Sequence, residues 1–190
     1  MKTIYYTATS LDGFIADPQN SLEWLFQLEG EGEADYMHFI PRIGALAMGS
    51  TTYEWILDHE KLLDAEQQRP WPYRQPTWVF TSRSLPGIVG ADIRFANGDV
   101  RPVHEQMAAA ANGKDIWLVG GGELVGQFWD HGLLDELIVT IGSVTLGAGA
   151  PLLPRAITNP PLRLTGVKAM GPGFAQLYYE VQKPRIQRDP

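Results

Sequence analysis

Hydrophobic and polar positions along the chain fall into short β-branched or aromatic runs separated by stretches of helical spacing. Thr3 to Thr9 is β-branched and aromatic and runs into Ser10-Leu11-Asp12-Gly13, which predicts a central strand ending in a turn. Glu33 to Arg42 carries Tyr36, Phe39 and Ile40 at helical spacing, continued by Ile43, with acidic residues in its first turn, where the helix dipole favours them. Ala45-Leu46-Ala47-Met48 is a strand-like run ended by Gly49, and Thr51 to Leu57 opens a helix directly after it. His59 to Gln75, with Pro70 and Pro72 and then Pro76, predicts an irregular surface connection.

The same alternation continues. Thr77 to Phe80 and Asp92 to Phe95 read as strands, and Val100 to Ala111 as an Ala-rich helix stopped by Asn112-Gly113. Asp115 to Val119 is a strand that enters a helix through Gly120-Gly121-Gly122, which runs to Trp129, and Glu136 to Ile141 is again a strand. After Gly142 the chain becomes glycine- and proline-rich as far as Pro154. Leu162 to Lys168 and Phe174 to Gln182 then read as an antiparallel pair around Met170-Gly171-Pro172-Gly173. The expectation is an α/β fold: a mixed, mostly parallel central sheet flanked by helices and extended by a C-terminal antiparallel hairpin. One domain over residues 1–183 and a frayed tail over 184–190 are expected.

Composition narrows the function classes. With 190 residues, 44% of them hydrophobic and 19% charged, the chain can bury one substantial core. A formal net charge of −7 without a concentrated Lys/Arg run argues against nucleic acid, which needs a basic footprint. Apolar stretches fall short of a bilayer span, and the start lacks a secretory pattern, so no membrane partner and a cytoplasmic location are expected. Without cysteine, and with His38, His59, His104 and His131 scattered, no metal site is expected.

Three strand ends carry candidate chemistry. At Val119-Gly120-Gly121-Gly122-Glu123-Leu124, fresh helix N–H groups and missing Cβ atoms would let a pyrophosphate approach closely, although a tight turn needing only positive φ accounts for the same glycines. Met48-Gly49-Ser50-Thr51-Thr52-Tyr53 offers a second anion site, or an ordinary N-cap by Ser50 or Thr51. Two such turns at one sheet edge could hold opposite ends of a dinucleotide. Thr81-Ser82-Arg83 adds two hydroxyls and a guanidinium, which suits the extra phosphate of NADPH, whereas an acid would suit the free ribose of NADH. The G-x-G-x-x-G pattern of Rossmann domains is absent here.

Ser10-Leu11-Asp12-Gly13-Phe14-Ile15-Ala16, Met48-Gly49-x-x-Thr52-Tyr53-Glu54, Phe80-Thr81-Ser82-Arg83 and Val119-Gly120-Gly121-Gly122 together resemble the dihydrofolate reductase superfamily. Within it, the chain looks most similar to the branch holding the reductase domain of riboflavin biosynthesis, the RibD C-terminal domain. Leu146-Gly147-Ala148-Gly149-Ala150-Pro151-Leu152-Leu153 resembles that branch's glycine-rich segment, and the motifs span residues 2–182 in order. The resemblance implies NADPH as cofactor, with Gly49 and Thr52 at the phosphates and Ser82 and Arg83 at the adenosine 2′-phosphate. It places Gly121, Gly122, Glu123, Leu124 and Val125 along the pyrophosphate and nicotinamide, and Ala8 and Ile15 at the nicotinamide end. Two positions depart from the pattern: Ser50 stands where a basic residue is usual, and Glu123 where a basic or neutral one is common.

On the substrate side the resemblance implies a carboxylate on the first helix, for which Glu33 and Asp35 are candidates, and a nearby threonine, Thr140. Both acids could equally be solvated residues that favour the helix dipole. Trp24 and Tyr36 could stack on a flat ring or belong to the core. The expected activity is transfer of hydride from NADPH to a C=N or C=O bond of a small planar heterocycle of pterin or ribosylaminopyrimidine type. A non-catalytic nucleotide-binding or regulatory module and a Rossmann-type dehydrogenase remain alternatives. A homodimer through the C-terminal strands is expected on symmetry grounds alone.

Overall fold

The β-branched run at the start forms β1 (Thr3–Ser10) in a computed structural model of the protein, which describes residues 1–30, 32–64, 66 and 69–182. Ile4 and Tyr5 are both fully buried although they point to opposite faces, so this strand needs cover on both sides. β3 (Ile43–Gly49), β4 (Thr77–Phe80), β5 (Ile93–Ala96) and β6 (Asp115–Gly120) lie on one side of β1. β7 (Glu136–Gly142), β9 (Arg163–Ala169) and β10 (Phe174–Glu180) lie on the other. The order β5-β4-β3-β6-β1-β7-β10-β9 makes one 8-stranded sheet, parallel from β5 to β7 and antiparallel from β7 through β10 to β9. The mostly parallel sheet and the C-terminal hairpin agree with the sequence-based expectation.

Helices cover both faces. On one, α4 (Val100–Ala111) and α5 (Gly122–Asp130) bury Met107 and Phe128 against Tyr5, Trp78 and Leu118. On the other, α2 (Gly32–Phe39) sets Phe39 against Ile4, Leu46, Trp117 and Ile138. On that face too, α3 (Ser50–His59) packs Tyr53 and Ile56 against Met48 and Val79. Asp99 starts α4 by accepting from the N–H of Arg101, and Asn112 ends it in the left-handed conformation, as Asn112-Gly113 predicted. Among the described residues no helix is long and apolar enough to cross a membrane.

Among the boundaries that differ from expectation are the two that flank Pro41. The helix expected to reach Arg42 ends at Phe39, because Pro41 lacks an N–H and the chain tightens into a 3₁₀ turn over Ile40–Arg42. The strand expected from Ala45 begins at Ile43. Three short elements carried no periodic signal: β2 (Phe14–Ala16), α1 (Glu23–Phe26) and β8 (Ala150–Pro151), which pairs with β2.

Asp12 ties the turn after β1 to the glycine-rich segment that leads into β8. Its carboxylate accepts from Ser10 Oγ at 2.6 Å, from the N–H of Leu146 at 3.0 Å and from that of Gly147 at 2.7 Å. These bonds, the Ser10 hydroxyl first, hold the carboxyl below its ordinary value of 3.8. The folded state therefore binds this proton less readily than the unfolded chain. The stabilisation is complete above 3.8 and is lost as pH falls through the lower folded value. Asp12→Asn is expected to lower the midpoint of thermal unfolding at pH 7, with a deficit that shrinks in scans below pH 3.8. A deficit constant down to pH 2 would show that the carboxylate charge does not hold the segment.

Candidate functional site

β3 and β6 are adjacent and parallel, so the helices that follow them start side by side. α3 has Gly49 as its N-cap and α5 has Gly121, and neither helix carries a side-chain cap, so the first-turn N–H groups are left for whatever occupies the space in front of them. Ser50 and Thr51 thus lie inside the helix and do not cap it. The four glycines here differ in what demands them. Gly120 has φ +139, a conformation other residues rarely adopt. At Gly122 an added Cβ would lie 2.3 Å from the carbonyl oxygen of Pro151 and 2.4 Å from that of Leu152, so the β8 segment excludes any side chain. Gly49 and Gly121 have neither reason: φ is −79 and −78, and the nearest atoms to an added Cβ are 3.8 Å and 3.9 Å away. The Gly120–Gly121 peptide is cis.

These bare N-caps open into a cleft of about 1470 Å³. Gly49, Ser50, Thr51, Thr52, Val119, Gly120, Gly121, Gly122, Glu123 and Leu124 line one end, with Thr81 and Ser82 after β4 and Asn97 and Gly98 after β5. Ala8 and Ile15 line it too, and Ile15 Cδ1 is the atom nearest the Cβ position of Gly121. Two residues implied by resemblance lie elsewhere. Val125 is fully buried on the inner face of α5, and its N–H is bonded to the Gly121 carbonyl, so both groups serve the fold. Arg83 is not among the lining residues; it donates twice to Glu54, at 2.9 Å and 2.6 Å, on the exposed surface.

Glu123, beside the bare N-caps, is paired with a residue absent from the sequence-based candidates. Arg155 donates to both Glu123 oxygens, at 2.9 Å and 2.8 Å, and through Nε to Asp130, and its hydrogen bonds hold the Glu123 carboxyl below its ordinary range. The guanidinium lies flat on α5, where a Cβ on Gly126 would be 2.6 Å from its central carbon.

At the other end, a polar row crosses the sheet. Ala8 on β1, Thr140 on β7, Gln176 on β10 and Lys168 on β9 are successive cross-strand partners. Gln176 is fully buried; its Nε2 donates to Thr140 Oγ at 2.9 Å and its Oε1 accepts from the Tyr178 hydroxyl. Burial first and the charge of Asp35 second push the Tyr6 phenol up to about 12, so it stays protonated near neutral pH. Lys168 Nζ meets Asp35 at 3.2 Å. Asp35 does not itself line the cleft, whereas Thr140, Tyr6 and Tyr36 do. The Glu33 side chain lies outside the described residues. Trp24 is buried behind the cleft, with a ring atom 3.0 Å from the Cβ position of Gly142. A polar residue at an inward position of an otherwise apolar strand was the available signal for Gln176.

Known proteins resemble this chain over nearly its whole length. A family model described as the RibD C-terminal domain matches residues 1–176. The uncharacterized Bacillus subtilis protein YwjB is 36% identical over 179 residues, covering 94% of this chain and 97% of YwjB. The uncharacterized YyaP of the same organism is 28% identical, with 90% of each chain covered. Among solved structures, a Shewanella sp. PV-4 protein assigned to riboflavin biosynthesis superposes with a TM-score of 0.77 at 23% identity, covering 96% of this chain and all of that one. Dihydrofolate reductase from Enterococcus faecalis, complexed with NADP(H), superposes with a TM-score of 0.59 at 16% identity, over 94% of this chain and 95% of the enzyme. The chain belongs to the RibD C-terminal domain family and has its dihydrofolate-reductase-like α/β fold.

Proposed function

We propose that this protein is an NADPH-dependent reductase that transfers hydride to a C=N or C=O bond of a small planar heterocycle. The observation that carries this reading is the pair of bare N-caps. Gly49 and Gly121 are required neither by their φ nor by packing, and their missing Cβ atoms leave two uncapped helix N-termini free to meet one anion. A cleft of about 1470 Å³ exceeds what one drug-sized ligand fills and suits a dinucleotide beside a second molecule. The fold of NADP(H)-bound dihydrofolate reductase supports the same cofactor.

In this reading Gly49 to Thr52 and Gly120 to Leu124 hold the phosphates, Ala8 and Ile15 flank the nicotinamide, and Thr81, Ser82 and Arg83 receive the adenosine 2′-phosphate. NADPH supplies the hydride, and one proton completes the two-electron reduction, giving NADP⁺ and a CH–NH or CH–OH product. Thr140 Oγ accepts from Gln176, so its own proton is free for the substrate's heteroatom. Tyr6, held protonated, can donate to charge developing there. Asp35, coupled to Lys168, keeps the net charge behind this row near zero. Val125 positions α5 from the core and does not touch the cofactor.

Four variants test this reading. In titrations followed by tryptophan quenching, NADPH binds more tightly than NADH, and Arg83→Ala weakens NADPH alone by about 10- to 100-fold. Glu54→Gln, which frees the guanidinium from an exposed pair, tightens NADPH by up to about fivefold. Failure of the wild type to bind either nucleotide at hundreds of micromolar would overturn the reading. Gly49→Ala is expected to leave the unfolding midpoint in denaturant unchanged, because its Cβ meets only ordinary contacts, while weakening NADPH at least about tenfold. Equal nucleotide affinity in that variant would show that nothing occupies the space. Gln176→Leu is expected to keep NADPH affinity but lower kcat by at least about tenfold, since it strips Thr140 and Tyr178 of their partner. NADPH binding without turnover on any heterocycle would assign the fold a non-catalytic role.

A further inference from the structure

The wall opposite the phosphate end is apolar throughout. Leu25, Phe26 and Leu28, from the segment around α1, line the cleft together with Trp55 of α3 and Met170 and Phe174 at the β9–β10 turn. Among the described lining residues the only charged side chain is Glu123, which is acidic and stands at the nucleotide end. Lys168 is engaged by Asp35, and Arg155 by both Glu123 and Asp130, while His59 stacks on the rings of Phe26 and Trp55. Burial raises the phenols of Tyr6, Tyr36 and Tyr73 above their ordinary value, the response of an ionisable group to an apolar surrounding.

Resting on the reductase reading of the same cleft, we infer that the substrate is an uncharged, flat, mostly apolar ring bearing one carbonyl or imine group, and that rings with a phosphate or carboxylate tail are excluded. A charge buried without a partner loses its hydration and gains nothing in return, so an anionic tail must either stay in water or forfeit most of the binding free energy. A neutral ring instead removes its faces from water against Phe26, Trp55 and Phe174, where aromatic contacts add to area burial. Its single polar group finds neutral donors in Thr140 and Tyr6, which need no counter-charge. Phe26 is 52% exposed and stacks with Trp55 at a centroid separation of 6.2 Å, so it offers an aromatic surface at the mouth of the cleft.

Matched pairs of rings test the inference on the purified full chain by equilibrium dialysis at pH 7 without nucleotide: quinoline against quinoline-2-carboxylate, and isoquinoline against isoquinoline-3-carboxylate. The neutral member of each pair is expected to bind at least about tenfold more tightly, a difference of about 1.4 kcal/mol. A smaller preference, a preference for the carboxylates, or no binding by any of the four would overturn it. Leu25→Arg, which sets a guanidinium in the apolar wall, is expected to narrow the preference by at least about tenfold. An unchanged preference in a folded variant would place the binding outside this wall and overturn the inference. Because the dialysis contains no nucleotide, a failed NADPH titration beside an intact neutral preference would sink the reductase reading and leave the charge selection standing.

Discussion

Parallel pairing of β3 with β6 brings two helix N-termini together at one sheet edge, and the rest of the site is arranged around that encounter. Each N-terminus leaves several N–H groups without intrahelical partners and carries about half a positive charge. Two such ends side by side repel each other unless something negative lies between them. Neither helix places a side-chain cap there, and the N-cap of each is a glycine, so the protein keeps its own polar groups out of the gap. The β8 segment fixes the second helix start, because the carbonyls of Pro151 and Leu152 press on Gly122. That segment is held in turn by Asp12, which joins it to the turn after β1.

Side-chain charges around the cleft are organised so that this backbone field is what a ligand meets. Glu123 would repel an anion at the start of α5, but Arg155 spans it and Asp130. Glu54 and Arg83 form a pair of their own, as do Asp35 and Lys168. At the far end, polarity is supplied by neutral groups on a buried Gln176, whose two sides serve Thr140 and Tyr178. The cleft therefore changes character along its length, from main-chain donors suited to phosphate to apolar walls with a few neutral donors. Such a gradient fits a charged cofactor and an uncharged partner held edge to edge.

Local patterning was enough for much of this architecture. The β-branched runs at Thr3 to Thr9 and Thr77 to Phe80, the helix stop at Asn112-Gly113 and the strand-to-helix glycines at 49 and 120–122 are signals carried by neighbouring residues, and they led to the α/β class and to one end of the cleft. The helix end at Phe39 and the pairing of β2 with β8 were not visible. Pro41 sits at a boundary that an apolar period runs across, and elements of two or three residues are too short to display a period at all.

By itself, then, the sequence determined the order of strands and helices, the mostly parallel sheet and the places where backbone could approach an anion, because periodicity, turn chemistry and missing Cβ atoms are local properties. Tertiary structure alone decided which charges cancel and which polar groups meet. Arg155 reaches Glu123 across 32 residues, Lys168 reaches Asp35 across 133, and Gln176 finds Thr140 across 36 because their strands are register partners. It also decided that Val125 faces the core and that Gly49 and Gly121 have open space before them. Those outcomes depend on strand order and on what packs behind each residue, quantities that no window of neighbouring residues contains.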